Sequence, residues 1–207
     1  WSSDVCSSDL MEETRGLFLV FEGIDNSGKT TTSQKLFEQL KNSNKKVELF
    51  YFPSPISPTF SILRNYLDGK IDLDPHSAHM LFTANRWDCS EQIKKLIKQG
   101  YIVIADRWSD SGIAYSYSQG LDLKWCKNIE SDLIQPDETF YMYLSIEEAR
   151  DRTFDETKYE NIDNLTKVKK YYDDNIIRYR PIQADASLDH ILKQIKKFLK
   201  IKYNIHY

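Results

Sequence analysis

Short apolar runs alternate with longer segments whose apolar positions recur every three or four residues, and this alternation extends along most of the chain. Leu17–Glu22, Val47–Phe52, Tyr101–Ala105 and Thr139–Leu144 are rich in apolar and aromatic residues, as strands covered on both faces are. Pro181–Ala184 is a weaker fifth candidate. Between these runs the spacing predicts helices over Thr30–Asn44, Ser57–Asp68, Pro75–Gln99, Ser109–Gln119, Ile146–Thr153, Asp163–Arg178 and Ser187–Lys202. In the last, Leu188, Ile191, Leu192, Ile195, Phe198 and Leu199 form one stripe. Alternating strand and helix predicts an α/β fold, a parallel sheet with helices on both faces and right-handed crossovers. Pro53, Pro55 and Pro58 stiffen the loop after the second strand, a region where such sheets bind ligands. The stretch 155–164, DETKYENIDN, is polar and lacks apolar periodicity, which suits a solvated loop or, beside a phosphate site, a lid over about 153–163.

The turn after the first strand carries the strongest chemical signal. Leu17–Thr32 reads LFLVFEGIDNSGKTTT, so Gly23, Ile24, Asp25, Asn26, Ser27, Gly28, Lys29 and Thr30 spell G-x-x-x-x-G-K-[ST] between a strand and a helix. Such a loop cradles phosphates with backbone N–H groups at the positive end of the following helix. Lys29 would reach the β- and γ-phosphates of a nucleoside triphosphate and Thr30 would hold Mg²⁺. The expected architecture is therefore the three-layer P-loop NTPase type with five strands. There is no G-x-G-x-x-G after the first strand, which excludes a dinucleotide dehydrogenase of the usual pattern.

Two further groups of residues suggest a second site. Asp106 and Arg107 follow the third strand, where a carboxylate would serve the metal and a guanidinium would clamp a phosphate. Phe82 and Arg86 stand four apart in a predicted helix and share a face. An aromatic ring and a guanidinium suit a planar base, although core packing and an ion pair explain the same spacing.

Composition narrows the remaining classes. The first ten residues, WSSDVCSSDL, resemble a translated sequencing adapter, so the chain proper is expected to run as one domain from Met11 to 207. Setting aside Asp4 and Asp9 moves the formal net charge from −3 to −1, unlike the basic stripe of a nucleic-acid binder. No apolar run is long enough to span a bilayer. Cys89 and Cys126 form no C-x-x-C pair and no zinc spacing, consistent with reduced thiols in the cytoplasm.

Taken together, FEGIDNSGKTT, Tyr51-Phe52-Pro53, LFTANRWD, ADRWSDSGIAYS, Gln135-Pro136-Asp137 and Lys158-Tyr159-Glu160 resemble the thymidylate kinase family, in the style of its eukaryotic and large-DNA-virus members. The likeness runs from about Arg15 to the C-terminal helix. It implies transfer of the γ-phosphoryl group of ATP to dTMP, with Mg²⁺, in a homodimer located in the cytoplasm or, in a eukaryote, also the nucleus. In this resemblance Gly23–Thr31, with Thr31 and the lid residues Arg150, Arg152 and Lys158, hold ATP. Lys29, Asp106 and Arg107 are the catalytic group, and Thr30 and Asp106 hold the metal. Asp25, Phe52, Leu67, Phe82, Arg86, Arg107, Ser111, Gly112, Tyr115 and Tyr159 shape the dTMP pocket, Phe52 and Tyr115 crowding C2′ against a ribose hydroxyl.

Two departures stand out. Relatives of this kind usually carry arginine where this chain has Pro55, and many eukaryotic ones carry a basic residue where it has Asn26. Arg64 or Arg150 would have to supply the missing charge, or turnover would be slow. The alternatives are a kinase for another nucleoside monophosphate or a deoxynucleoside, and a catalytically weak nucleotide-binding relative.

Overall fold

The computed structural model describes residues 15–152 and 162–206. Five strands, β1 (Leu17–Glu22), β2 (Val47–Tyr51), β3 (Ile102–Asp106), β4 (Glu138–Tyr143) and β5 (Arg180–Gln183), form one parallel sheet in the order β2-β3-β1-β4-β5. Side chains alternate between faces along each strand, and two cores form accordingly. Phe18 and Val20 of β1 join Val103, Ala105 and Phe50 beneath α3 (Pro75–Lys98), where Cys89, Ile93 and Ile97 complete the cluster. Leu19 and Phe21 turn the other way with Ile104 and Phe140, towards α1 (Lys29–Asn42) and α8 (Leu188–Tyr203).

Helix starts follow local chemistry. Asp74 caps α3 by accepting from the N–H groups of His76 (2.9 Å) and Ser77 (3.3 Å), and Pro75 occupies the first turn, where no N–H is needed. Ser145 and Glu148 form a reciprocal capping box on α6 (Ile146–Asp151). The weak fifth strand is real: Pro181 sits at the sheet edge, where a missing N–H costs least.

Three differences from the sequence reading have local causes. The helix expected over Asp163–Arg178 is α7 (Ile162–Asp174) followed by a separate 3-10 turn at Ile176–Arg178. The helix after the second strand, α2 (Phe60–Leu67), begins only past Pro58. An additional helix, α5 (Leu123–Glu130), lacks enough turns to display a period and is set by Asp122, whose carboxylate accepts from the Trp125 N–H (2.7 Å). The remaining helix, α4 (Ser109–Ser118), follows β3 and packs against α3, α5 and α7.

Candidate active site

β1 lies at the centre of the sheet, and the chain leaves it at the point where strand order reverses, so its loop opens into a crevice at the strands' C-terminal ends. The loop curls through left-handed backbone at Asn26 (φ 60°) and Gly28 (φ 82°). Gly23 (φ 141°) passes so close to β4 that a Cβ there would stand 2.6 Å from the Met142 carbonyl oxygen. Among the described residues no side chain caps α1, so its first N–H groups face the loop's concavity, ready for an anion. Lys29 lies buried in this concavity, donating to the Ile24 carbonyl (2.6 Å) and to Ser27 Oγ (3.2 Å). Burial and then the charge of Arg107 bring its pKa down to about 8.

Asp106 ends β3 beside this loop. Its Oδ2 accepts from Thr30 Oγ1 at 2.5 Å, while Oδ1 is buried and has no hydrogen-bond partner among the described residues. Arg107 follows in left-handed backbone (φ 71°), which swings its guanidinium across the mouth of the loop. There it pairs with Asp25 and donates to the Gly23 carbonyl (3.2 Å) and Ser111 Oγ (3.1 Å). The Tyr115 hydroxyl donates to the other oxygen of Asp25 (2.6 Å). Burial opposes ionisation of Asp25, but Arg107 and Lys29 outweigh it and hold the carboxyl below the ordinary range. Burial and then Asp25 push the Tyr115 hydroxyl well above its usual value, so it stays a donor.

Two clefts meet at this pair. The larger, about 550 Å³, is lined by Asp25 through Thr32, with Arg107, Arg152 and the apolar Ala184, Ala186, Leu188 and Ile191. The smaller, about 220 Å³, is lined by Asp25 and Arg107 together with Phe52, Leu67, Phe82, Arg86, Ser111, Gly112 and Tyr115. Among the described residues, only Asp25 and Arg107 line both, at the place where something held in one cleft would face something held in the other. This two-chambered shape, one chamber floored by a phosphate loop and the other walled by Phe82 and Arg86, suits transfer between two bound nucleotides.

A family model for thymidylate kinase matches residues 21–195. This chain belongs to the thymidylate kinase family. It is 40% identical over 191 residues to protein 251L of Invertebrate iridescent virus 6, provisionally named a thymidylate kinase, which covers 91% of this chain and 90% of that one. The thymidylate kinase of Dictyostelium discoideum is 33% identical over 193 residues, 91% of this chain and 87% of that one. The solved structure of thymidylate kinase from Candida albicans superposes with a TM-score of 0.78 at 29% identity, covering 93% of this chain and 96% of that one.

Against that family pattern, the site residues named from sequence fall into groups. Nine of the ten assigned to the monophosphate pocket line the smaller cleft; the tenth, Tyr159, and the lid residue Lys158 lie outside the described residues, as does most of the expected lid. The loop residues Asp25–Thr31 line the larger cleft, whereas Ile24 packs its side chain in the core and contributes its carbonyl. Arg152 reaches that cleft and donates to the carbonyls of Asn26 (3.4 Å) and Ala184 (3.0 Å). Arg150 does not: it is exposed on α6 and lines neither cleft, because the helix turns it outward.

Arg86 satisfies both readings of its spacing. It lines the smaller cleft and also pairs with Glu130 of α5, donating through Nε (3.0 Å) and Nη2. Thr83 Oγ1 donates to the same carboxylate (2.7 Å), and His79 Nε2 stands 3.7 Å away. Gly112 belongs here because a Cβ would stand 2.3 Å from the Arg86 guanidinium. Sequence reasoning missed Glu130, whose signal was an acid at the end of an apolar-faced segment too short to be read as a helix. It also missed Ser116 and Gln119, which line the cleft one and four residues beyond Tyr115. Pro55 is exposed, and Arg64 of α2 lines the smaller cleft while paired with Asp68 (2.9 Å).

Proposed function

We infer that this protein transfers the γ-phosphoryl group of ATP to dTMP, giving dTDP and ADP. The observation that carries the reading is the shared wall: Asp25 and Arg107 border both the phosphate-loop cleft and the cleft holding Phe82 and Arg86. ATP occupies the first, its phosphates on the N–H groups of the loop and on Lys29, with Arg152 beside the entrance. dTMP occupies the second, its base stacked on Phe82 and hydrogen-bonded by Arg86, its phosphate gripped by Arg107. Phe52 and Tyr115 crowd the sugar against a 2′-hydroxyl. Lys158 and Tyr159, also assigned to the nucleotide sites, lie outside the described residues.

No side-chain nucleophile is required, since a phosphate oxygen of dTMP attacks in line. Two anions repel, and the residues answer with Lys29 and Arg107 held in a desolvated site, already oriented before substrates arrive. An incoming phosphate favours protonated Lys29 and replaces its bonds to Ile24 and Ser27. Asp25 keeps Arg107 aimed at the boundary between the chambers.

Thr30 and Asp106 suit a Mg²⁺ ion, because their oxygens are adjacent and Asp106 Oδ1 is buried with a free lone pair. No cluster of three or more acidic, His or Cys groups exists among the described residues, so the ion would arrive with the triphosphate and water rather than in a protein cage. When bound it supplies charge neutralisation at the β- and γ-phosphate oxygens.

Arg64, which lines the smaller cleft, is the candidate for the charge that an arginine in place of Pro55 would supply; without it turnover would be slow. Pairing of two chains is supported by Met80 and Trp87, exposed seven residues apart on α3; sedimentation of a Trp87→Glu variant as a monomer checks it. No helix among the described residues is long and apolar enough to cross a membrane, and the proposed location is the cytoplasm.

A coupled assay of ATP consumption with dTMP, dUMP, UMP, CMP and thymidine tests the reading. dTMP should be the preferred acceptor, and Lys29→Ala should abolish the reaction. A wild-type rate with dTMP no faster than that of Lys29→Ala overturns it.

A further inference from the structure

Glu22, the last residue of β1, is fully buried at the end of an otherwise apolar strand. Carboxylates are rarely found so deep unless their lone pairs are taken. Here four donors converge. Oε1 accepts from the backbone N–H groups of Trp108 (2.8 Å) and Ser111 (3.1 Å). Oε2 accepts from Ser111 Oγ (2.5 Å) and the Tyr172 hydroxyl (2.8 Å). Trp108 is the residue that precedes α4 and offers no side-chain cap, so β1 delivers the cap from outside the helix.

The same bonds bracket Arg107. Its own N–H donates to the Phe21 carbonyl (2.9 Å), and the next N–H, of Trp108, donates to Glu22. A left-handed arginine is unfavourable unless its surroundings hold it. Both peptide groups flanking Arg107 are tied to the last two residues of β1, which holds that conformation and thereby the direction of the guanidinium. A second connection runs through Ser111. Its single hydroxyl proton points at Glu22, so its lone pairs are left for Arg107 Nη1 at 3.1 Å.

We propose that Glu22 is a positioning residue for phosphate recognition: it acts through the Trp108 N–H and the Ser111 hydroxyl to aim Arg107 at the acceptor phosphate. The inference rests on the reading of the smaller cleft as the dTMP site. Tyr172, which belongs to α7 and therefore follows the segment 153–161, shares the carboxylate and extends the linkage to that helix. Burial, and then Asp110, raise the Glu22 carboxyl above its ordinary pKa, against the opposing pull of its Ser111 and Tyr172 donors and of Arg107.

Glu22→Gln is the discriminating change because it keeps shape while reversing polarity at Oε2. The amide oxygen still serves the two backbone N–H groups. The amide NH₂ then donates to Ser111, whose proton must turn away from Glu22 and towards Arg107. Affinities of wild type, Glu22→Gln and Tyr172→Phe for dTMP and for thymidine are measured by calorimetry, together with kcat and KM for both substrates. The proposal expects Glu22→Gln to lose roughly a hundredfold in kcat/KM for dTMP, the scale of a misplaced reacting group. It expects weaker dTMP binding, with thymidine binding and the KM for ATP unchanged. Tyr172→Phe keeps the carboxylate and should show the same selectivity at smaller size, and it carries the test alone if Glu22→Gln does not fold. Equal weakening of dTMP and thymidine, or no change in either, overturns the role of Glu22. A wild-type protein that binds neither nucleotide overturns the reading of the cleft, and the role assigned to Glu22 falls with it.

Discussion

The buried pair behind the base pocket makes a sharp prediction. Arg86 and Glu130 are only 3% and 2% exposed, so neither has water to fall back on. Glu130 receives two donors from Arg86 and one from Thr83, while His79 Nε2, without a hydrogen-bond partner among the described residues, stands 3.7 Å from it. Replacing Glu130 by Gln retains the volume but leaves the Arg86 charge uncompensated in a dry site. Removing one partner of a buried pair costs about 3–5 kcal/mol. At about 2–4 °C per kcal/mol for a domain of this size, the lower bound alone lowers the melting temperature by roughly 6–12 °C. The assay is thermal unfolding followed by circular dichroism, with dTMP titrations run beside it. The double variant Arg86→Met/Glu130→Leu removes both charges and should recover much of the lost stability while failing to recover dTMP binding. The contrast between the two readouts separates the structural role of the pair from the recognition role of Arg86. A loss below about 1 kcal/mol in Glu130→Gln, the range of an exposed ion pair, would refute the reasoning.

Other predictions follow from the charges that line the two clefts. Arg64→Ala should lower kcat/KM for dTMP by roughly tenfold or more if it supplies a transition-state cation, without changing the KM for ATP; unchanged steady-state constants would exclude Arg64. Lys29, with a pKa of about 8 in the folded state and a higher one when unfolded, is bound to fewer protons in the native protein between those values. Stability should therefore rise with pH from about 8 towards the ordinary lysine range, and Lys29→Met should lack that rise in denaturant titrations. ATP binding above about pH 8 should take up protons as phosphate restores the ammonium, visible as a buffer-dependent binding enthalpy. Chelation of Mg²⁺ should stop turnover while leaving dTMP affinity intact, because Thr30 lines the larger cleft and Asp106 is bonded to it, and equal loss of both would contradict the division of the site.

How much of this was legible in the chain depended on whether the signal was local. The phosphate loop reads directly because its requirements are local: glycine or asparagine where φ is positive, lysine and threonine at the start of a helix. Strands β1 and β3 read directly because both faces are covered and every position is apolar until the functional carboxylate. Arg150 and Arg152 could not be separated, since two residues of phase at the end of a short helix decide which of them meets the cleft. Glu130 and Glu22 belong to the class that sequence conceals, because their partners stand 44 and 86 residues away along the chain. Yet each had a trace. An acid ending an unbroken apolar strand must either reach solvent or be satisfied inside, and the P-loop that follows Glu22 already directs the chain inward. The four donors that meet Glu22 come from Trp108 at the start of α4, from α4 itself and from α7, which no reading of the β1 segment contains. The catalytic groups are thus specified by short motifs, whereas the aim of Arg107 is specified by a carboxylate whose place in FEGIDNSGKTT discloses none of its partners. That division predicts that substitutions at Glu22 leave the KM for ATP intact and weaken the hold on the acceptor phosphate through Arg107.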